Sequence, residues 1–218
     1  MIRSTAIITA AFLALSCAAS AATSNDSNSA QKLVNDSVPV VGQIKQDPHF
    51  VKLLKQAKGV LILPAVGKGA LIAGGEGGQG VLLMRRNGKW TDPAFLSLGS
   101  ISLGPQAGGA GGPVVMLLMT DKAAHSFSQA NNLSLNANAG LTIVNYSAKG
   151  QGSVGKGDII VWSNQSGAFA GASVSATDIT SNTQQDRAYY GRHVSTTDII
   201  KGKVHNAAAD KLVSDLPA

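Results

Sequence analysis

The lysines and arginines of this sequence form the clearest chemical pattern, because they recur in two short groups. One group has three-residue spacing and the other surrounds a predicted turn: Lys52, Lys55 and Lys58, then Arg85, Arg86 and Lys89. A cation close to an anionic membrane surface contributes roughly 1 kcal/mol of attraction. Two interpretations follow: these side chains contact lipid headgroups, or they form an ordinary solvated face.

Glycine-rich segments match the spacing of a dinucleotide-binding loop at two places. Gly75, Gly77 and Gly80 fit the pattern GxGxxG, and residues 150–155 fit it again. Such a loop holds a pyrophosphate only when a strand precedes it and a helix follows it. Residues 81–84 lead instead into a predicted hairpin, so turns and bulges explain these glycines better and no nucleotide cofactor is expected.

Groups that catalyse reactions or bind metals are few and isolated in this sequence. The four histidines lie far apart, and none pairs with another His, Glu or Cys at ligand spacing. Glu76 is the only glutamate, and it has no identifiable partner nearby, which favours a structural role over acid-base chemistry. A GxSxG motif is absent from the sequence. We therefore expect no metal, no cofactor and no catalytic residue, and a binding protein rather than an enzyme.

Residues 1–22 have the organisation of a signal peptide. Arg3 precedes an apolar stretch, Ala6 to Leu15, that is too short to span a bilayer. Small residues follow this stretch and predict cleavage before Ala22 or Thr23. The expected location of the mature protein is therefore the periplasm.

Cys17 offers an alternative, because it ends a loose version of the sequence box that precedes acylated cysteines in bacterial lipoproteins. Acylation there would anchor the protein to the outer membrane. Cys17 is the only cysteine, so cleavage after it leaves a chain without disulfides or thiolate ligands. Residues 23–29, rich in Ser and Asn, predict a flexible mature N-terminus, and residues 30–218 are expected to form one domain.

The formal net charge is +6, from 18 Lys and Arg against 12 Asp and Glu. A mild basic surplus favours association with anionic surfaces such as lipid headgroups. The cations are spread along the chain and form no dense block, and an exported protein does not meet nucleic acid. We therefore expect no nucleic-acid partner.

A short amphipathic helix is the first element predicted to position these cations. Asp47 predicts its N-cap and Pro48 its first helical residue, with the helix ending near Lys58. Its apolar residues fall on the face opposite Lys52 and Lys55, with Lys58 on the flank: Phe50, Leu53, Leu54 and Ala57. An earlier helix over residues 33–44 is predicted to break or kink at Pro39.

Short apolar runs separated by glycine predict strands through the middle of the chain. They cover residues 60–63, 70–73, 81–84, 114–119, 133–143, 158–163 and 168–180. Asn87 and Gly88 predict a type I′ hairpin turn, and Trp90 begins the returning strand.

Further helices are predicted between the strands and at the end of the chain. Thr120 or Asp121 caps the first of them, and Ser195 with Asp198 forms a capping box before a C-terminal helix over residues 204–216. Because a long open sheet edge invites aggregation, the expected fold is α+β and β-rich. Its antiparallel sheet is curved or barrel-like and is flanked by N-terminal and C-terminal helices.

A family resemblance rests on motifs that extend over nearly the whole mature chain. These motifs are AKGVLILP at residues 57–64, GGE at 74–76, GVL at 80–82, Trp90, PAF at 93–95, Gly99, Gly104, Gln106, Gly108, Gly167, FAG at 169–171 and AYYG at 188–191. The pattern resembles the SYLF domain family. The resemblance implies a non-enzymatic lipid-binding domain whose eukaryotic members bind phosphoinositides through a basic amphipathic N-terminal segment, and some of which bind actin.

Export limits which of those properties are expected here, because phosphoinositides and actin are absent from a periplasm. The hypothesis that remains is a lipid-binding or membrane-surface-binding module of the bacterial cell envelope, with an unknown protein partner. The alternative is an envelope structural or protein-interaction protein that does not bind lipid directly.

Overall fold

The computed structural model describes residues 12–68, 76–102, 112–129, 133–135, 140–146, 157–163 and 175–218. Several predicted features lie outside these residues. They are the strand at residues 70–73, the glycine motif at residues 150–155, the first part of the strand at residues 168–180, and residues 1–11 of the predicted signal peptide.

The described residues form six α-helices, one 3₁₀ turn and nine strands. The helices are α1 (Phe12–Ile44), α2 (Pro48–Gln56), α3 (Asp121–Ser128), α4 (Thr183–Tyr190), α5 (Thr196–Ile200) and α6 (Asp210–Asp215), with the 3₁₀ turn at Ala207–Ala209. The strands are β1 (Gly59–Lys68), β2 (Glu76–Arg86), β3 (Lys89–Trp90), β4 (Ala94–Ser102), β5 (Gly112–Leu118), β6 (Leu133–Leu135), β7 (Ile143–Asn145), β8 (Ile159–Ser163) and β9 (Ser175–Ser181).

One curled sheet contains all of these strands, in the order β6-β9-β4-β2-β1-β5-β8-β7, with β3 paired to the end of β2. Neighbouring strands are antiparallel except for β7 and β8, which are parallel. The sheet forms a half-barrel flanked by N-terminal and C-terminal helices, so the predicted α+β class with a curved sheet is confirmed. The parallel β7–β8 pair is a departure from the expected antiparallel pattern.

The central strands are buried on both faces because their side chains alternate between two apolar layers. Val60 and Ile62 of β1 point into the layer covered by α1, α2 and α6. Leu61 and Leu63 point into the opposite layer, to which α3 and α5 contribute. Continuous apolar runs such as residues 60–63 are what a strand buried on both sides requires.

The helix start predicted at Asp47 and the hairpin turn predicted at Asn87 and Gly88 are both confirmed. Asp47 caps α2 through Oδ1, which accepts hydrogen bonds from the backbone N–H groups of His49 at 2.9 Å and Phe50 at 3.2 Å. Asn87 and Gly88 have φ angles of 50° and 78°, so both central turn residues adopt the positive φ that a type I′ turn needs.

Gly80 lies inside β2 and does not open a helix, which removes the strand-turn-helix context that a dinucleotide loop requires. A Cβ atom at Gly80 would lie 2.7 Å from the Ile62 carbonyl oxygen of the neighbouring strand. The glycine is therefore needed for the close approach of β1 and β2.

The first helix is longer than predicted. α1 continues through Pro39 without a break and includes residues 23–29, which the sequence analysis expected to be flexible. Its inward residues bury themselves against the sheet on both sides of Pro39, for example Val34 and Val41, and this packing outweighs the lost backbone hydrogen bond. Within the described residues, no helix is long and apolar enough to cross a bilayer.

Two further expectations are corrected by the structure. The predicted strand over residues 133–143 is divided into β6 and β7, which lie at opposite ends of the sheet. Gly140, between them, has a φ of 63° that interrupts an extended chain. The C-terminal helix begins at Asp210 instead of residue 204, since Asn206 caps only a 3₁₀ turn.

A buried carboxylate fixes α4, which the sequence analysis missed, to the sheet. Asp186 is fully buried and accepts hydrogen bonds from the Phe95 backbone N–H at 2.9 Å and the Thr196 hydroxyl at 2.7 Å. Burial raises the pKa of Asp186 to about 6, although the two hydrogen bonds act in the opposite direction.

This raised pKa predicts how stability depends on pH. Between about pH 4 and pH 6, Asp186 is protonated in the folded protein but ionised in the unfolded chain. The contribution of Asp186 to stability is therefore present below pH 4 and is lost as the pH rises through about 6. The loss is about 3 kcal/mol. Urea unfolding of the wild type and of Asp186→Asn should show the two free energies of unfolding diverging over this interval. Parallel pH profiles would contradict the prediction.

Candidate functional site

The outward face of α2 presents two of the predicted lysines to solvent. Lys52 and Lys55 are exposed, whereas Phe50 and Leu54 of the same helix are completely buried. The N-terminal end of the helix is held in place, since the Asp47 cap also accepts a 2.6 Å hydrogen bond from the Tyr146 hydroxyl. The lysines therefore stand on a rigid support and the apolar face of α2 is already occupied.

Lys58 joins α2 to the start of β1. Its backbone N–H donates to the Leu118 carbonyl at 2.7 Å, and its carbonyl accepts from the Arg85 N–H at 2.8 Å. The ammonium group lies 3.2 Å from the carboxylate of Asp121, and the lysine side chain is 50% exposed. This ion pair between exposed groups is weak, so Lys58 stays available to an external anion.

Arg85 faces the protein, in contrast to the lysines. Its Nη2 donates to the Pro217 carbonyl at 3.0 Å and to the Leu54 carbonyl at 3.4 Å. The guanidinium carbon lies 4.2 Å from the centroid of the Trp90 ring, and Trp90 Nε1 donates to the same Pro217 carbonyl at 2.8 Å. Arg85 thus joins α2, the hairpin and the C-terminal segment, and burial lowers its guanidinium pKa.

Arg86 and Lys89 occupy opposite positions across the exposed hairpin. Arg86 Nε donates to the carbonyl of Ile200, the last residue of α5, at 3.0 Å. This contact adds Lys201, an exposed residue that the sequence analysis did not include. Only the tertiary contact between β2 and α5 brings it here, since it lies more than a hundred residues from the hairpin.

These cations share one end of the sheet, where β1 begins and β2 ends. We call this region the basic end and define it by five exposed residues: Lys55, Lys58, Arg86, Lys89 and Lys201. Lys52 lies one turn back along α2. Five of the six predicted headgroup residues are therefore exposed, while Arg85 is engaged within the fold.

Candidate metal ligands and acid-base groups are sparse here. Within the described parts of the chain, no three His, Cys, Asp or Glu side chains are grouped so as to hold a metal ion. Glu76 is the first residue of β2, and its backbone pairs with that of Lys68 in the ladder.

The contrast between Arg85 and Lys89 generates a test of their separate roles. Arg85→Gln removes a charged donor to two backbone carbonyls, so it should lower the free energy of unfolding by about 2 kcal/mol. Lys89→Gln, on the exposed hairpin, should change it by less than about 0.5 kcal/mol. Urea denaturation measures both. Equal effects of the two substitutions would show that Arg85 does not hold the C-terminal segment.

Comparison with known proteins identifies the relatives of the chain. It is 28% identical over 144 residues to Protein YSC84 of Saccharomyces cerevisiae, 63% of this chain and 30% of that protein. It is 26% identical over 129 residues to the SH3 domain-containing YSC84-like protein 1 of Bos taurus, 57% of this chain and 38% of that protein. The chain thus spans well under half the length of each relative. No solved structure shows significant similarity to it.

The Ysc84 family profile, described as "Las17-binding protein actin regulator", matches residues 99–218. This match covers more than half of the chain, from the second half of β4 through α6. The motifs in residues 57–98 lie outside the profile match but carry the same resemblance. The chain therefore belongs to the Ysc84 family of SYLF domains.

Proposed function

We propose that this protein is a non-enzymatic module of the bacterial cell envelope that binds anionic lipid surfaces through α2 and the basic end. The observation that carries the proposal is the exposure of Lys52 and Lys55 on a helix whose apolar residues Phe50, Leu54 and Ala57 are buried, with Leu53 partly buried beside them. Together with the basic end they offer several cations around the end of the sheet where β1 begins and β2 ends.

The buried apolar face determines the mode of binding. An amphipathic helix inserts into a bilayer through its apolar residues. Phe50 and Leu54 are unavailable for this, because they form part of the core beneath α2. Binding is therefore peripheral and electrostatic, reversible, and weakened by salt.

Export remains part of the proposal and depends on residues 1–22. Cleavage before Ala22 or Thr23 would shorten α1 but leave its described buried residues, which extend from Ala30 to Ile44. The packed part of α1 thus persists in a periplasmic mature protein. In the alternative, Cys17 is acylated and the same domain is tethered to the outer membrane.

A second candidate function is protein binding without direct lipid contact. It is favoured by the description of the family as Las17-binding and by the relative in Saccharomyces cerevisiae named LAS seventeen-binding protein 3, which is 29% identical over 131 residues. The basic end would equally suit an acidic protein surface. Crosslinking in cells tests this second function. A protein partner would be crosslinked to the domain even if the purified domain does not bind vesicles.

The lipid proposal predicts charge-selective vesicle binding. The purified mature protein should co-sediment with vesicles that contain phosphatidylglycerol and should not co-sediment with pure phosphatidylcholine vesicles. Lys52→Gln with Lys55→Gln should weaken the binding roughly 30-fold, because each lysine contributes roughly 1 kcal/mol. Raising the salt concentration should weaken it further.

Lys32→Gln with Lys211→Gln is the matched control, since it removes two positive charges from exposed lysines of α1 and α6 that form ion pairs along their own helices. The control should bind like the wild type. Background sedimentation with both kinds of vesicle, or equal losses in the two double variants, would contradict the proposed surface.

Export predicts a specific mature N-terminus. Expression of the full sequence in a bacterial host, followed by intact-mass measurement, should give a chain that begins at Ala22 or Thr23. A mass corresponding to an acylated Cys17 would support the outer-membrane anchor, and retention of Met1 would overturn both forms of the proposal.

A further inference from the structure

A cleft beside α4 and α5 contains a second group of cations, separate from α2. Its larger part has a volume of about 510 Å³ and its smaller part about 280 Å³. Both parts are lined by His193 and Val194, so they adjoin at the segment between the two helices. We call the combined space the α4–α5 cleft.

The charge of this cleft is predominantly positive. Arg187 lines the smaller part, while Arg192 and Lys203 line the larger part. The acidic residue in the lining is Asp198, which is 3.1 Å from Lys203. Arg187 and Arg192 are exposed and bring planar guanidinium groups, whose fork of N–H donors suits the oxygens of phosphate.

The fold holds the cationic segment in place from both sides. Gly191 ends α4 in a left-handed conformation with a φ of 66°. Val194 is buried in the apolar layer to which α3 and α5 contribute. Ser195 then caps α5, its hydroxyl accepting from the Asp198 N–H at 3.0 Å. Arg192 and His193 therefore stand between two anchored points, which lowers the entropic cost of closing on a ligand.

The base of the cleft is equally well supported. Arg187 follows directly after Asp186, whose buried carboxylate holds α4 against Phe95 and Thr196. The Tyr190 hydroxyl donates to the Pro93 carbonyl at 2.8 Å and fixes the last turn of the helix. Arg187 is thus carried on the fixed helix α4, and Arg192 lies in the short segment that joins α4 to α5.

We propose that the α4–α5 cleft is a phosphate-binding site, with Arg187, Arg192 and His193 as donors to the phosphate oxygens. Its ligand is a phosphomonoester, carried by a soluble molecule or by a lipid headgroup. The site does not depend on the proposed function of α2, because Arg187, Arg192 and His193 belong neither to α2 nor to the basic end.

Soluble phosphate provides the first test. Inorganic phosphate and glycerol 3-phosphate are titrated into the full mature protein at constant ionic strength, with sulfate-free buffer and ³¹P line broadening as the readout. The wild type should show saturable binding, and Arg187→Gln with Arg192→Gln should weaken it at least tenfold. Lys52→Gln with Lys55→Gln should leave it unchanged.

Asp198→Asn supplies a change in the opposite direction. Asparagine keeps the backbone N–H that Ser195 caps but removes the negative charge opposite Lys203, so phosphate binding should tighten several-fold. A substitution that merely disturbed the fold would weaken binding.

Vesicles distinguish the two sources of the phosphate. Phosphatidic acid carries a phosphomonoester, whereas phosphatidylglycerol carries only a diester. A preference for phosphatidic acid that disappears in the double arginine variant would assign a lipid headgroup, and soluble binding without this preference would assign a free phosphate ester. Absence of saturable phosphate binding, or binding that the double arginine variant retains, would overturn the site. Neither result bears on the lysines of α2, so failure here is distinguishable from failure of the lipid proposal.

Discussion

Burial of the sheet on both faces is the constraint on which the remaining structure depends. Strands β1, β2 and β5 direct alternate side chains into two apolar layers, and each layer needs a cover of helices. α2 meets that need with Phe50 and Leu54, which obliges its lysines to face water. The position of the basic residues is thus a consequence of packing, and the side of the fold that can meet an anion is set by the same apolar contacts that stabilise the domain.

The same constraint directs the two adjacent arginines of β2 to different faces of the sheet. Arg85 and Arg86 are neighbours in sequence, and strand geometry directs their side chains to opposite faces. Arg85 points to the face of the sheet that α1, α2 and α6 cover, and it donates to the carbonyls of Leu54 and Pro217. Arg86 reaches α5 on the other side through the Ile200 carbonyl. One basic dipeptide therefore fastens a helix to each face of the sheet.

Local chemistry made part of this structure predictable. Asp47 with Pro48 specified a helix start, and Asn87 with Gly88 specified a turn, because caps and positive φ angles are properties of a few adjacent residues. The break predicted at Pro39 is absent, because the local cost of this proline is smaller than the gain from packing α1 along the sheet. α4 was missed because Asp186 and Gln185 look solvent-exposed in sequence, yet both are buried.

The candidate site was predictable to a similar degree. Lys52 and Lys55 follow from helical periodicity alone, and the structure places them as expected. The inward direction of Arg85 and the addition of Lys201 depend on contacts with residues more than a hundred positions away. No local pattern encodes such contacts. The α4–α5 cleft could not be predicted from the sequence for the same reason, since its cations come together only when α4 packs against the sheet.

The contact between α1 and α6 has a consequence for how the chain acquires its fold. Val34, Val41 and Ile44 share an apolar layer with Leu212 and Leu216, and Lys45 lies 3.9 Å from Asp215. A polypeptide that emerges N-terminus first, from a ribosome or a translocation channel, cannot complete this layer until residues 209–217 have appeared. These long-range contacts between α1 and α6 are therefore the last ones of this layer to form in a chain that emerges from its N-terminus.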